Sequence, residues 1–175
     1  MLIPCCNRKV LSLLILLSST GFALAQSTEA NQLHRIMDLF GGTWVGEGTA
    51  TDGGKFKTEL KFEWTLNKRF IKVTNFITAN KKSQLYAETT YGWQPVLRQI
   101  VFWSFDNDGN INEGVATLDE STLHHEWRSF SGNGQIKDWQ SRMVRVRPGF
   151  AAFTLLEPRA EGWVESLTIK YRRKK

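Results

Sequence analysis

From Phe56 to Trp64 the sequence reads Phe-Lys-Thr-Glu-Leu-Lys-Phe-Glu-Trp. Phe56, Leu60, Phe62 and Trp64 share one side with Thr58, while Lys57, Glu59, Lys61 and Glu63 take the other. A strict period of two describes a β-strand with one buried and one wet face; a helix cannot satisfy it. The chain keeps this period from residue 43 almost to its C-terminus. Strands are predicted near 43–50, 55–66, 69–79, 84–93, 98–106, 111–118, 121–130, 135–147, 150–157 and 162–172. Turn-forming clusters separate many of them: Thr-Asp-Gly-Gly at 51–54, Asn-Asp-Gly-Asn at 107–110, Ser-Gly-Asn-Gly-Gln at 131–135 and Pro-Arg-Ala-Glu-Gly at 158–162. No connection after residue 42 is long enough for a crossover, so successive strands should pair antiparallel.

An open sheet of that many strands would expose two edges, and closure removes them. The expected fold is mainly β: an antiparallel up-and-down β-barrel of about ten strands, with a two-sheet sandwich as the alternative. A barrel of about eight strands is just wide enough to be filled by side chains or to hold one small ligand, and ten widen it further. One helix is predicted over 27–40, where Leu33, Ile36, Met37 and Phe40 fall at helical spacing between a Ser27 cap and Gly41-Gly42. The segment from Ile100 to Phe105 is apolar on both faces, which requires cover on both, and the helix is the predicted outer cover.

The ends of the chain carry a different signal. Arg8 and Lys9 precede an apolar run from Val10 to Leu17, and Ala23-Leu24-Ala25 fits a cleavage site before Gln26. This is the pattern of a secretory signal peptide over 1–25, which leaves one domain over 26–175 and predicts a periplasmic or secreted protein. Both cysteines, Cys5 and Cys6, fall in that segment, so the remainder can form no disulfide and no thiolate metal site. No second apolar run approaches the ~20 residues of a spanning helix, so no transmembrane segment is expected in the mature chain. The chain has 23 Lys and Arg against 17 Asp and Glu. Arg8 and Lys9, with Arg172, Arg173, Lys174 and Lys175, account for the six-charge excess. The basic character thus lies at the ends and not in a stripe across the fold, which argues against nucleic acid as a partner. The C-terminal Tyr-Arg-Arg-Lys-Lys reads as a solvated terminus or as a tether to an acidic surface.

Several chemistries find no support. There is no glycine-rich phosphate loop, no HExxH and no GxSxG. The histidines are His34, His124 and His125; the last two are adjacent on a strand, point to opposite faces and cannot grip one ion together. Asp106 to Asn110 opens like a calcium loop, but Ile111 and Thr117 stand where the loop needs Gly and Glu. A hairpin turn is predicted there. Neither a metal nor a cofactor is called for.

Polar residues on apolar faces are the candidates for a site. Leu123-x-His125-x-Trp127 places His125 among large apolar neighbours, and Trp163-x-Glu165-x-Leu167-x-Ile169 does the same for Glu165. Ile136-x-Asp138-x-Gln140-x-Arg142-x-Val144 threads three polar groups through another face, with Trp139 out of phase. If these faces point inward, the lumen holds an imidazole, a carboxylate and a guanidinium, and buried charges must be paired or serve a ligand. Glu165 and Arg142 could form an internal pair, or fix the polar ends of a ligand. The predicted ligand-binding set is Trp64, Tyr91 and Trp127 as walls, with His125, Arg142 and Glu165 as polar anchors. The seven tryptophans suit either a barrel core or an aromatic-lined pocket.

Phe-Gly-Gly-Thr-Trp-Val-Gly-Glu-Gly-Thr-Ala at 40–50 resembles the opening of lipocalin-like proteins, with Gly42 and Trp44 beginning the first strand. That resemblance implies an Arg after the last strand packing on Trp44, which Arg172 or Arg173 could supply. Tyr91 to Gly114 is similar to a segment of bacterial lipocalin-like domains, with a Gly-Trp-x-Pro stretch, a Trp-x-Phe-Asp strand and an Asp-Gly turn. The first strand is also similar to that of nitrobindin-type barrels, which bind haem through a histidine near the C-terminus. Here no histidine follows His125, so haem is not the leading expectation and would require His125 to ligate by a different geometry. The leading expectation is an exported carrier-like protein binding a small, mainly apolar molecule in the lumen. The alternatives are an isomerase or hydrolase using His125 as general base with Glu165 as its orienter or partner acid, or a non-catalytic interaction scaffold.

Overall fold

The alternating segments become ten strands: β1 (Gly42–Thr49), β2 (Lys55–Thr65), β3 (Phe70–Ala79), β4 (Lys82–Gln94), β5 (Gln99–Asp106), β6 (Ile111–Asp119), β7 (Thr122–Phe130), β8 (Ile136–Arg147), β9 (Phe150–Arg159) and β10 (Gly162–Arg173). The structure is a computed structural model that describes residues 32–49 and 53–175. The signal segment predicted for 1–25, with Cys5 and Cys6, and the first part of the predicted helix lie outside the described residues. Each strand pairs antiparallel with its neighbour in sequence, and β1 also pairs with β10. The sheet is therefore a closed up-and-down barrel of ten strands.

Local chemistry explains the hairpins. Asp106 folds the β5–β6 turn by accepting from the backbone N–H groups of Asp108 at 3.1 Å and Asn110 at 3.0 Å. Asn80 and Lys81 both take positive φ, 51° and 64°, the geometry of the two-residue turn that matches strand twist.

Residues 32–40 form a helix, α1, that closes one end of the barrel. Leu33, Ile36 and Phe40 lie on one helical stripe and are fully buried with Trp44 and Phe62 in the core. Each such side chain contributes about 1.5–3 kcal/mol on leaving water. The helix C-terminus is tied down by its carbonyls. Trp44 Nε1 donates to Phe40 O at 2.6 Å, the Arg145 guanidinium donates to Leu39 O, and that of Arg173 donates to Gly41 O. Both guanidinium groups stand over the Trp44 ring, at 5.1 and 5.5 Å. The last helical carbonyls, left without partners inside the helix, are thus met by two cations and an indole. Gly42, at φ 93°, makes the left-handed step from helix into β1. It is Arg173, not Arg172, that covers Trp44, because Arg173 pairs with Trp44 across the barrel seam and shares its inward face.

This placement corrects the expected role of the helix. Ile100 and Phe102 face inward and are buried, but Trp103 and Phe105 face outward and stay exposed. The apolar stripe of α1 is used to plug the barrel end, and Arg145 and Arg173 hold it there. Among the described residues no helix is long and apolar enough to cross a membrane.

Candidate functional site

Side chains directly opposite in an antiparallel ladder share a face, so the registers define rows of inward-pointing residues. One row runs Trp93, Ile100, Ala116, His125, Ser141, Leu155 and Leu167 across β4 to β10. A second runs Tyr91, Phe102, Gly114, Trp127 and Trp139. A third runs Thr89, Ser104, Asn112, Ser129 and Lys137. The lumen wall from β4 to β8 therefore changes from a mixed row to an aromatic and then a polar one on going from the α1 end toward the far end.

Burial shows where the interior is filled. Toward α1 most inward side chains are buried, among them Ile71, Tyr91, Phe102, Leu123, Met143 and Ile169, while Trp64 and Trp93 are partly buried. Toward the far end Phe56, Trp127, Trp139, Leu155 and Leu167 point inward and yet remain partly exposed. In a closed barrel that combination means that solvent reaches these side chains from the lumen side.

At the boundary sits a hydrogen-bonded trio. Tyr91 Oη is 3.1 Å from His125 Nε2, and His125 Nδ1 is 3.1 Å from Ser141 Oγ. Phe102 packs edge-on against the imidazole, with centroids 5.5 Å apart. Burial lowers the His125 pKa to about 4, with a smaller push from His124, and burial also raises the Tyr91 pKa. The ring is neutral at neutral pH, so one ring nitrogen donates and the other accepts. One hydroxyl of the trio then gives its proton to the imidazole and the other receives one, keeping its own O–H for a further acceptor.

Nearer the far end, Trp127 and Trp139 stack with an interplanar angle of 15° and centroids 6.3 Å apart. Lys137 Nζ lies 4.2 Å from the Trp139 centroid, 2.6 Å from Glu157 Oε1, and Arg159 Nη2 lies 2.9 Å from Glu157 Oε2. The Lys137 hydrogen bond is the largest cause of the lowered Glu157 pKa.

Of the sequence-predicted residues, Tyr91, His125 and Trp127 come together around Phe102. Trp64 also faces inward but stands at the closed end, 4.8 Å from the His34 ring. Arg142 and Glu165 do not reach the lumen. They pair with each other on the outer wall, their side chains 43% and 53% exposed. Two separate errors of phase account for this. In β8 the inward set is Lys137, Trp139, Ser141 and Met143, and the apolar Ile136 and Val144 that suggested the opposite face point outward. In β10 a bulge between Glu165 and Leu167 flips the facing, so Leu167 and Ile169 point in while Glu165 points out. His125 and Glu165 therefore lie on opposite faces of the wall and cannot act on one substrate as base and acid. Lys137, Trp139, Ser141 and Glu157 are the lumen residues that the sequence reading missed. Trp139 and Met143 on one phase of β8 were the available signal.

The histidines do not suit haem. Both ring nitrogens of His125 are engaged by wall hydroxyls, His124 faces outward, and His34 belongs to the closed end. Among the described residues no group of three or more His, Asp, Glu or Cys is placed to hold a metal ion.

No family model and no curated protein matches the sequence. The fold is similar to that in the crystal structure of Rv2717c from M. tuberculosis. The TM-score is 0.55 at 13% identity, over 82% of this chain and 98% of that one. At that identity the likeness speaks for the barrel and not for any ligand.

Proposed function

We propose that the chain is an exported carrier-like protein that holds a small, mainly apolar molecule in the far half of its barrel. The observation that carries this reading is the partial exposure of inward-pointing Trp127, Trp139, Leu155 and Leu167 within a closed sheet. Flat aromatic and aliphatic walls with a few polar groups are the common makeup of small-molecule sites. Trp127 forms a wall, and the free hydroxyl proton of the Tyr91–His125–Ser141 trio offers one donor at the floor. Native mass spectrometry of the protein recovered from its expressing cell tests for a retained molecule. Titration with apolar probes tests for changes in tryptophan emission. A retained mass or a saturable emission change supports the reading; a lumen that takes no probe overturns it. Export is tested by N-terminal sequencing, with Gln26 as the expected first residue.

A second reading rests on the outer wall. Phe105, Ile111, Phe130 and Ile136 are successive partners across β5 to β8 and point outward, with Phe105 56% and Ile136 62% exposed. A contiguous apolar row of this kind suits an interaction surface. Analytical ultracentrifugation over a concentration series checks for self-association, and a protein that stays monomeric throughout argues against a surface for copies of itself.

A further inference from the structure

We propose that the ligand of this lumen carries one anionic group, seated at Lys137, with a planar body against Trp127 and Trp139; this rests on the small-molecule reading above. Three observations converge on one place. Lys137 is the last member of the inward polar row, and the other four, Thr89, Ser104, Asn112 and Ser129, are neutral. Its Nζ stands over the Trp139 ring at 4.2 Å, so charge and flat wall adjoin. Two cations meet one carboxylate there: Lys137 and Arg159 both hold Glu157, at 2.6 and 2.9 Å.

The local sum is one positive charge. Lys137 spends one of its three N–H donors on Glu157, which leaves two for an incoming oxygen. Glu157 keeps Arg159 as a partner when Lys137 turns to a ligand, so the exchange strands no charge. A cationic ligand meets the reverse situation: two like charges, and a carboxylate already engaged twice. A neutral planar ligand gains only the aromatic wall. Because the Lys137 side chain is 43% exposed, the electrostatic gain is moderate and sensitive to salt.

Calorimetric titration with three derivatives of one naphthalene ring system tests this: 1-naphthaleneacetate, its neutral near-isostere 1-naphthaleneacetamide and the smaller cation 1-naphthylmethylammonium. The acetate should bind more tightly than the ammonium by roughly tenfold, with the amide between them. Lys137→Gln should weaken the acetate by about three- to tenfold and leave the amide within about twofold. Glu157→Gln, which releases Lys137 and Arg159, should tighten the acetate. Both positions are partly exposed, and a circular dichroism melt of each variant checks that the barrel is intact. If the amide binds while acetate and ammonium match it, or Lys137→Gln leaves the acetate unchanged, the anionic assignment is wrong and the small-molecule reading stands. If none of the three binds, the small-molecule reading falls and this inference with it.

Discussion

Tyr91 Oη and His125 Nε2 stand 3.1 Å apart in a barrel interior where both residues are buried. The imidazole is kept neutral there, its pKa lowered to about 4 mainly by burial. In the unfolded chain the ordinary value is about 6.5. Between those values the unfolded state binds a proton that the folded state refuses. The contribution of neutral His125 to stability is therefore full above pH 6.5 and is lost as the pH falls toward 4. The window corresponds to about 3 kcal/mol. Thermal unfolding followed across that range should show a falling midpoint in the wild type. In a His125→Gln variant the fall should be shallower, leaving only what the carboxylates contribute. Equal slopes in the two proteins would sink the assignment.

The same contact gives a prediction at neutral pH. Tyr91→Phe removes the hydroxyl and leaves a buried ring nitrogen of His125 without its partner, which costs about 1–3 kcal/mol. Ser141→Ala does the same at Nδ1. The two losses should not add, because in the double variant the imidazole has already lost its fixed tautomer. Urea unfolding of the two single variants and the double variant measures the coupling; simple additivity would show that the hydroxyls act independently of the ring.

Gly114 interrupts the aromatic row between Phe102 and Trp127. A Cβ at this position would lie 2.7 Å from Trp127 Cα and closer still to Glu126 O, both of them backbone atoms that cannot swing aside. Gly114→Ala should cost more than about 2 kcal/mol, the upper part of the range for overpacking. Gly132→Ala, where an added Cβ meets nothing within 4 Å, is the matched control and should change the melting temperature little. Similar melting temperatures for the two variants would mean that the wall gives way at Gly114.

How much of this was legible beforehand differs from strand to strand. The period of two, the turn clusters and the lack of crossovers sufficed for ten antiparallel strands, because Phe56 to Trp64 and its successors allow no other regular structure. Closure followed from the edge problem. Facing was harder, since it depends on phase and a single extra residue inverts it. His125 and Trp127 were placed correctly because Leu123 fixes the phase of β7 and no bulge intervenes. Glu165 was misplaced because the β10 bulge has no mark in the sequence. Arg142 was misplaced because Ile136 and Val144 point outward, as isolated apolar residues on a sheet often do. The helix was foreseen but not its seat, which depends on Arg145 and Arg173 reaching its C-terminal carbonyls from β8 and β10.

The outward pairing of Arg142 with Glu165 leads to a prediction that separates wall from lumen. The pair is exposed and screened, so Glu165→Gln should cost less than about 1 kcal/mol. It should also leave the binding of 1-naphthaleneacetamide untouched, since no atom of the pair faces the interior. Trp139→Ala removes half of the inward stacked pair and the surface beneath Lys137. It should weaken the same probe by about tenfold, in line with the loss of one aromatic contact. Calorimetric titration of the two variants side by side checks both. A strong effect at Glu165 with none at Trp139 would move the binding site from the lumen to the outer wall.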